Sequence, residues 1–321
     1  MVRQAQHERN LHITVRPKPV EGLNQRSLNI IHGIILFLFA FAMPFQVCAQ
    51  VSVTDDAGHV VKLKSPATRI VTLAPFLTEL VFAAGAGNQL AAVSSYSDFP
   101  LEAKNKPVIG DASALDMERL VALKPDLIVA WKSGGHPADT GRLGKYGMPV
   151  FIAEPTRVAD IPRLLRNIGQ LAGTEAAAEI AAYHFEQRLA SIRQRFAATP
   201  KQKVFFEIWH SPLMTVSGKH FISEAMQICG GQNIFSDVST LVPTVGLESI
   251  YAGDPQVIIC STSAEKINAK APWMAQAKLQ AVKNNNIFAL DPDLIQRQTP
   301  RLLGGIEQMC RHLEDASGAA K

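Results

Sequence analysis

Four groups of aromatic and polar residues stand where predicted β-strands end. Tyr96 closes "LAAVSSY", Trp131 closes "DLIVAW", Trp209 and His210 follow "KVFFEI", and residues 293–297 follow "NIFALD". In open α/β sheets a ligand binds beyond the carboxyl ends of the strands. Aromatic side chains there hold a large, partly flat ligand by stacking and apolar contact, and a few polar groups fix its orientation. Core packing would explain any one of these aromatic residues, so the prediction of a binding cleft rests on all four groups together.

The sequence contains none of the common catalytic signatures. There is no GxSxG elbow, no GxxxxGK[ST] loop and no HExxH pair, and "GAG" at residues 85–87 lies at the end of a predicted helix, not between a strand and a helix. No nucleophile, base and orienting group can be named together, so we predict that the chain is not an enzyme.

The histidines give no local metal motif. Six follow residue 49 and none forms an i, i+4 pair. A site assembled from distant positions, such as His136 and His210 with a carboxylate, remains the weaker alternative to ordinary loop histidines. We therefore predict no resident metal and no cofactor.

Composition excludes several classes of protein. The chain has 321 residues, of which 47% are hydrophobic and 19% charged, as in an ordinary globular protein. Three of its four net positive charges lie within the first 49 residues, and the near-neutral remainder does not indicate nucleic-acid binding.

The first 49 residues have the pattern of a signal peptide with an unusually long polar start. Arg26 precedes an apolar core at residues 34–43, and Val47 and Ala49 stand at positions −3 and −1 of a cleavage site. This core of about ten residues is short of the roughly 20 that span a bilayer, so a permanent anchor is the weaker interpretation. A lipid anchor on Cys48 is weaker still, because "FQVC" lacks the usual residues before a lipidated cysteine. We predict export to the periplasm.

Export makes a disulfide the expected state of two of the remaining cysteines. Cys260 ends the apolar run "QVIIC", and this pattern predicts a small, buried apolar side chain in a strand. That leaves Cys229 to pair with Cys310.

Two series of strands and helices predict an α/β protein with mainly parallel strands. After a short extension at residues 50–68, the first series fills residues 69–156 and the second fills residues 200–321. Between them, residues 157–199 are predicted to be helical. Asp160 is a candidate N-cap, and residues 175–197 contain no Pro or Gly. Ile180, Tyr183, Leu189, Ile192 and Phe196 recur there near helical spacing, so we predict one long rigid helix joining two lobes.

The segments "RIVTLAPFLTELVFAAG", "VSSYSDFP", "MERLVALKPDLIVAW", "SGK", "ICGGQNIF" and "QRQTPR" together resemble periplasmic binding proteins with a helical backbone, and within them the cobalamin-binding branch of the ABC uptake systems. The resemblance covers about residues 69–313. It implies two Rossmann-like lobes around a ligand cleft, with residues 69–317 forming one periplasmic-binding domain. It also implies that the chain captures cobalamin or a related corrinoid as a transported ligand, and that it is a monomer when free.

The resemblance assigns roles to particular residues. Tyr96 would contact the corrinoid and Trp131 would line the cleft. A five-residue segment would line it too: Asp293, Leu294, Ile295, Gln296 and Arg297. Of these, Asp293 and Arg297 would meet the corrin amides. Glu118 and Glu248, one per lobe, would dock onto arginines of an ABC permease dimer that works with an ATPase, and the family disulfide falls on Cys229 and Cys310.

Departures from the family pattern leave the ligand open. Ala112 stands where a cleft tryptophan is expected, Thr244 replaces a second, and Leu294 and Ile295 occupy positions where aromatic residues occur. We predict that Trp209 restores part of this lost surface. A haem or ferric-siderophore ligand on the same fold is the alternative, and for haem Tyr96 and His210 are candidate iron ligands.

Overall fold

The computed structural model describes Arg16 and residues 50–134, 137–262 and 271–318, with only the backbone at residues 137–140. The predicted signal peptide, apart from Arg16, lies outside these residues, and so does His136. All the structure below belongs to one compact unit, Ala49–Lys321. In the part of the chain described, no helix is both long and apolar enough to cross a membrane.

The N-terminal lobe is built on a four-stranded parallel sheet in the order β4-β3-β5-β6. Strand β5, one of its two central strands, is buried except at its last residue, as expected for a strand covered on both faces. The strands are β3 (Ile70–Thr72), β4 (Leu90–Ala92), β5 (Leu127–Trp131) and β6 (Val150–Ala153). The helices are α1 (Pro75–Ala83), α2 (Met117–Leu123) and α3 (Pro137–Lys145), with short 3-10 turns at Gly87–Gln89 and Leu101–Asn105.

The predicted extension at residues 50–68 is an integral part of this lobe. It forms an antiparallel hairpin of β1 (Val51–Thr54) and β2 (Val60–Leu63), in which alternate side chains are buried. Asp56 ties the hairpin to the lobe, since its carboxylate accepts from the Glu154 N–H at 2.6 Å and pairs with Arg163 at 2.6 Å. The alternation of apolar residues in "VSVT" is the sequence signal for this hairpin.

The C-terminal lobe repeats the arrangement, with a parallel sheet in the order β10-β9-β7-β8. Its strands are β7 (Gln202–Glu207), β8 (Gly231–Asn233), β9 (Val257–Ser261) and β10 (Ile287–Leu290). Its helices are α6 (Phe221–Ile228), α7 (Leu247–Gly253), α8 (Ala271–Met274), α9 (Gln280–Lys283), α10 (Pro292–Ile295) and α11 (Leu302–Ser317). Strand β8, with the sequence "GQN", has no β-propensity to reveal it and exists because its backbone pairs with β7.

Two helices lie between the sheets in sequence, α4 (Asp160–Ala172) and α5 (Glu175–Arg195). Helix α5 has 21 residues, which makes a rod of about 32 Å. Gly169 allows α4 and α5 to pack closely, because a Cβ there would lie 2.3 Å from the Cβ of Ala178. Asp160 is the first helical residue of α4, and the N-cap is Ala159.

The buried face of α5 differs from the prediction. Ile180 and Tyr183 are exposed, and the face that packs is formed by Ala178, Ala182, Phe185, Leu189 and Ile192. Small alanines fill the close contact with α4, which displaces the larger residues to solvent. Leu189 and Ile192 belong to a hydrophobic cluster that contains buried residues of both sheets, such as Ile70 and Phe206, so the lobes share one continuous core.

Candidate ligand-binding cleft

A cavity of about 310 Å³ lies at the carboxyl end of the N-terminal sheet. The loops after β3, β4 and β5 form its walls, and both predicted aromatic residues of this lobe, Tyr96 and Trp131, line it. Ala112 lines the same cavity. The resemblance expects a tryptophan at this position, so the alanine leaves open the space that the larger side chain would occupy.

Tyr96 occupies a turn that presents its side chain to solvent. Its φ is +64° and it is 79% exposed. The neighbouring serines fix the turn: the Ser95 N–H donates to the Gly110 carbonyl at 2.7 Å, and the Ser97 hydroxyl lies 2.9 Å from that of Thr78. A packing role for Tyr96 in the core is therefore excluded, and its ring is available to a ligand.

Trp131 is the half-buried last residue of β5. Phe76 packs edge-on against its ring at 5.3 Å between centroids. Gly134 lies directly on the ring, because a Cβ at that position would come within 1.8 Å of it. Neighbours on two sides thus fix the indole at the cavity wall.

In the C-terminal lobe, Trp209 and His210 begin a short loop that extends from the carboxyl end of β7. Trp209 is 61% exposed, and its Nε1 donates to the Ser211 carbonyl at 2.8 Å. The loop closes through a bridge between Trp209 and Met214. His210 is held by Glu207, with 3.0 Å between Nδ1 and Oε1. Trp209 thus offers aromatic surface to solvent, and its place in the cleft stays a prediction.

The five residues 293–297 separate into different environments. Ile295 is 0% exposed and packs in the core, so its prediction as a cleft-lining residue is wrong: helix α10 turns this side chain inward. Asp293 and Leu294 are partly exposed. Gln296 donates to the Ser261 hydroxyl at 2.7 Å and to the Ile208 carbonyl at 3.3 Å.

Arg297 crosses from the C-terminal lobe to the N-terminal lobe. Its Nη1 lies 2.8 Å from the Glu79 carboxylate and 2.8 Å from that of Asp98, and its Nη2 lies 2.8 Å from Asp293. Only 15% of the side chain is exposed. Partial burial acts to raise the pKa of Asp98, but the hydrogen bond and charge of Arg297 outweigh it and hold that pKa below its usual value.

Arg301, four residues further along the chain, strengthens the same contact. Its Nη1 lies 3.2 Å from Glu79, and its guanidinium stacks over the Phe99 ring at 4.0 Å. Glu79, Asp98, Phe99 and Arg301 were not singled out from the sequence, because only the fold brings together residues more than 190 positions apart.

Glu118 and Glu248 occupy equivalent positions in the two lobes. Each is the second residue of a seven-residue helix, α2 or α7, and each is exposed. Both helices end in a left-handed residue before a proline, Lys124 with φ +48° and Asp254 with φ +42°. Within the described ranges, neither glutamate takes part in a salt bridge. The two carboxylates thus project from matching surface helices.

The cysteines are as predicted. Cys229 and Cys310 form a disulfide with 2.04 Å between the sulfurs, joining the end of α6 to α11. Cys260 is buried in β9, and burial raises the pKa of its thiol. Among the described residues, no group of three or more His, Cys, Asp or Glu side chains is placed to hold a metal ion.

The fold and the cleft define a class of protein: two α/β lobes on a helical connection, with aromatic residues at the strand ends. The chain belongs to the periplasmic binding protein family, whose sequence profile matches residues 70–294.

Among similar proteins of known name, the vitamin B12-binding protein of Vibrio cholerae serotype O1 is 35% identical over 252 residues, which cover 78% of this chain and 91% of that protein. The crystal structure of the periplasmic vitamin B12-binding protein BtuF of Vibrio cholerae superposes with a TM-score of 0.74 at 35% identity, covering 78% of this chain and 98% of that one. A periplasmic heme-binding protein, RhuT from Roseiflexus, shares the fold with a TM-score of 0.70 at 23% identity, covering 78% and 99%. The predicted two-lobe α/β fold and the family are confirmed. Membership of a family of binding proteins also confirms that the chain is not an enzyme.

Proposed function

We propose that this protein captures cobalamin or a related corrinoid in the periplasm and delivers it to an ABC permease and its ATPase. The observation that supports this most is the cavity of about 310 Å³ lined by Tyr96 and Trp131, together with the relatives named for vitamin B12. A corrin ring is a large, flat, mostly apolar surface edged by amides. Exposed aromatic rings bind the face of such a ligand, and a few polar groups bind its edge.

The polar residues divide into two roles in this proposal. Asp293 and Gln296 are partly exposed, and we place them at the cleft, where they would accept from or donate to the corrin amides. Arg297 uses its guanidinium on three carboxylates, so it would support the floor of the cleft more than it contacts the ligand. Leu294 and Trp209 would supply apolar surface in place of the two tryptophans that the family resemblance expects and that this chain lacks.

A haem ligand is the second candidate, favoured by one observation. Tyr96 is 79% exposed and the His210 side chain is 56% exposed, so either side chain could approach a haem iron. The fold alone does not separate the two ligands, because heme-binding proteins share it.

Competition calorimetry on the exported protein separates these candidates. Cyanocobalamin, cobinamide, haemin and a ferric siderophore are titrated separately and in pairs. Saturable binding of cyanocobalamin at or below tens of micromolar ligand supports the proposal, and its absence with haemin binding supports the alternative. Tyr96→Ala tests the site, and Tyr183→Ala, which removes an exposed tyrosine from α5, is the matched control.

The predicted export and docking complete the proposal. Residues 1–49 would direct secretion and be removed, and the free protein would act as a monomer. Glu118 and Glu248 would each meet a basic residue on the permease, one per lobe. Opposite charges on two separated helices would orient the protein over the transport pathway and speed the encounter.

A further inference from the structure

Glu207, the last residue of β7, is a buried carboxylate with partners on three elements. It is 7% exposed. Its Oε2 accepts from the Trp273 indole N–H at 2.6 Å and lies 3.7 Å from the Cys260 sulfur, and its Oε1 lies 3.0 Å from Nδ1 of His210. A carboxylate held this firmly also fixes the imidazole that it touches.

The pairing determines which nitrogen of His210 is available. A carboxylate oxygen only accepts, so Nδ1 carries the proton and Nε2 of the neutral ring carries the lone pair. The His210 side chain is 56% exposed, and no residue in the described part of the chain hydrogen-bonds to Nε2. A carboxylate behind Nδ1 orients a metal-binding histidine and makes its other nitrogen a stronger ligand.

The loop that carries His210 lies at the ligand-binding end of the C-terminal lobe. Gln296 binds the carbonyl of Ile208, two residues before His210. The next residue, Arg297, reaches Asp98 in the loop that carries Tyr96. In the other lobe the corresponding loop, after the central strand β3, lines the aromatic cavity through Leu73 and Ala74. These links place His210 at the same end of the molecule as Tyr96.

We propose that Nε2 of His210 is an axial ligand to the metal of the bound corrinoid, and that Glu207 is the residue that positions it. This inference rests on the proposed function. On a cobalt(III) corrinoid with an exchangeable water, the bond from cobalt to water breaks and a bond from cobalt to Nε2 forms. The water leaves, and neither cobalt nor protein changes oxidation state. The residue would thus select corrinoids with an open axial position over those whose position is blocked.

Visible absorption and calorimetry with two probes test this ligation. Aquocobalamin has an exchangeable water, and in cyanocobalamin cyanide blocks the same position. For the unmodified protein we expect the corrin bands of aquocobalamin to shift on binding, and aquocobalamin to bind at least about tenfold more tightly than cyanocobalamin. Cyanocobalamin should keep its spectrum.

Variants connect the shift to the residue. His210→Ala should abolish the shift and remove the preference for aquocobalamin over cyanocobalamin, and free imidazole should restore the shift in His210→Gly. Glu207→Gln should reduce the preference several-fold, with folding checked by thermal melting. His184→Ala, an exposed histidine on α5, is the control and should change nothing.

The outcomes separate the two proposals. If cyanocobalamin binds but the aquocobalamin spectrum is unchanged in the unmodified protein, the ligation is overturned and the proposed function stands. A shift that persists in His210→Ala overturns it equally. If neither corrinoid binds in the calorimeter, both proposals fail.

Discussion

Arg297 and Glu79 join the two lobes through a contact of 2.8 Å, with 2% of the Glu79 side chain exposed. The residues stand 218 positions apart, one after α10 and the other within α1. Arg301 reaches the same oxygen of Glu79. The contact between the lobes therefore consists of a buried carboxylate between two guanidinium groups.

Replacing Glu79 by Gln should destabilise the protein by about 2 kcal/mol, because it removes the charge opposite two partly buried arginines while Asp98 and Asp293 still compensate Arg297. Urea denaturation measures this loss. The control is Glu186→Gln, which removes an exposed partner of Arg166 and should cost at most about 1 kcal/mol. Equal losses in the two variants would show that the lobe contact contributes no more than a surface pair.

Tyr96→Ala should weaken corrinoid binding by about tenfold and leave the free energy of unfolding within about 0.5 kcal/mol, because the side chain is exposed in the free protein. Calorimetry and thermal melting measure the two effects. Tyr96→Phe keeps the ring and should retain most of the corrinoid affinity. A large loss in Tyr96→Phe would instead indicate that the hydroxyl binds the ligand, as a haem iron ligand would.

The sequence predicted the sheets better than the cleft. Apolar runs such as "DLIVAW" and "QVIIC" specify buried strands by themselves, and the half-buried Trp131 at the end of the first run was found by that logic. Ile295 was misplaced because its orientation depends on how α10 turns. The side chains of Glu207 and Trp273, 66 positions apart, meet only in the folded protein. The local signal for that site was a glutamate that closes "KVFFE" three residues before a histidine.

Removing the disulfide with the double variant Cys229→Ala, Cys310→Ala should cost about 4.5 kcal/mol in the chain-entropy model, because the bond closes a loop with a sequence separation of 81 residues. Both residues are fully buried, so alanine leaves small cavities that add to the loss. Chemical denaturation under oxidising conditions compares the variant with the parent. This value would be contradicted if adding a reductant during unfolding did not lower the free energy of unfolding of the parent protein.

Acid should destabilise the protein below pH 6.5 through His220. Burial lowers the pKa of His220 to about 4. Its usual pKa in an unfolded chain is about 6.5, so between these values the unfolded state binds a proton that the folded state does not. Stability is therefore complete above about pH 6.5 and falls by roughly 3 kcal/mol as the pH drops to about 4. Burial also lowers the pKa of His312, which adds to the effect.

The variant His220→Asn isolates this contribution. Nδ1 of His220 accepts from the Ile222 N–H at 3.2 Å and caps α6, and asparagine is a good N-cap that does not titrate. We expect denaturation midpoints of the variant to depend less on pH between 4 and 6.5 than those of the parent. An unchanged pH dependence would assign the acid sensitivity to other groups.

Reversing the charges of Glu118 and Glu248 to Lys should weaken docking to the permease in reconstituted membranes without affecting ligand affinity. Both residues are exposed on short helices, so folding should not change. Each single reversal should slow association by several-fold, and the double reversal should slow it by more than either.

Because salt screens exposed ion pairs, added salt should slow the association of the parent protein and reduce the difference in association rate between the parent and the variants. Surface plasmon resonance at two salt concentrations measures these rates, and Glu179→Lys on α5 is the control. If Glu179→Lys slows association as much as Glu118→Lys, net charge and not the two matched helices directs the encounter.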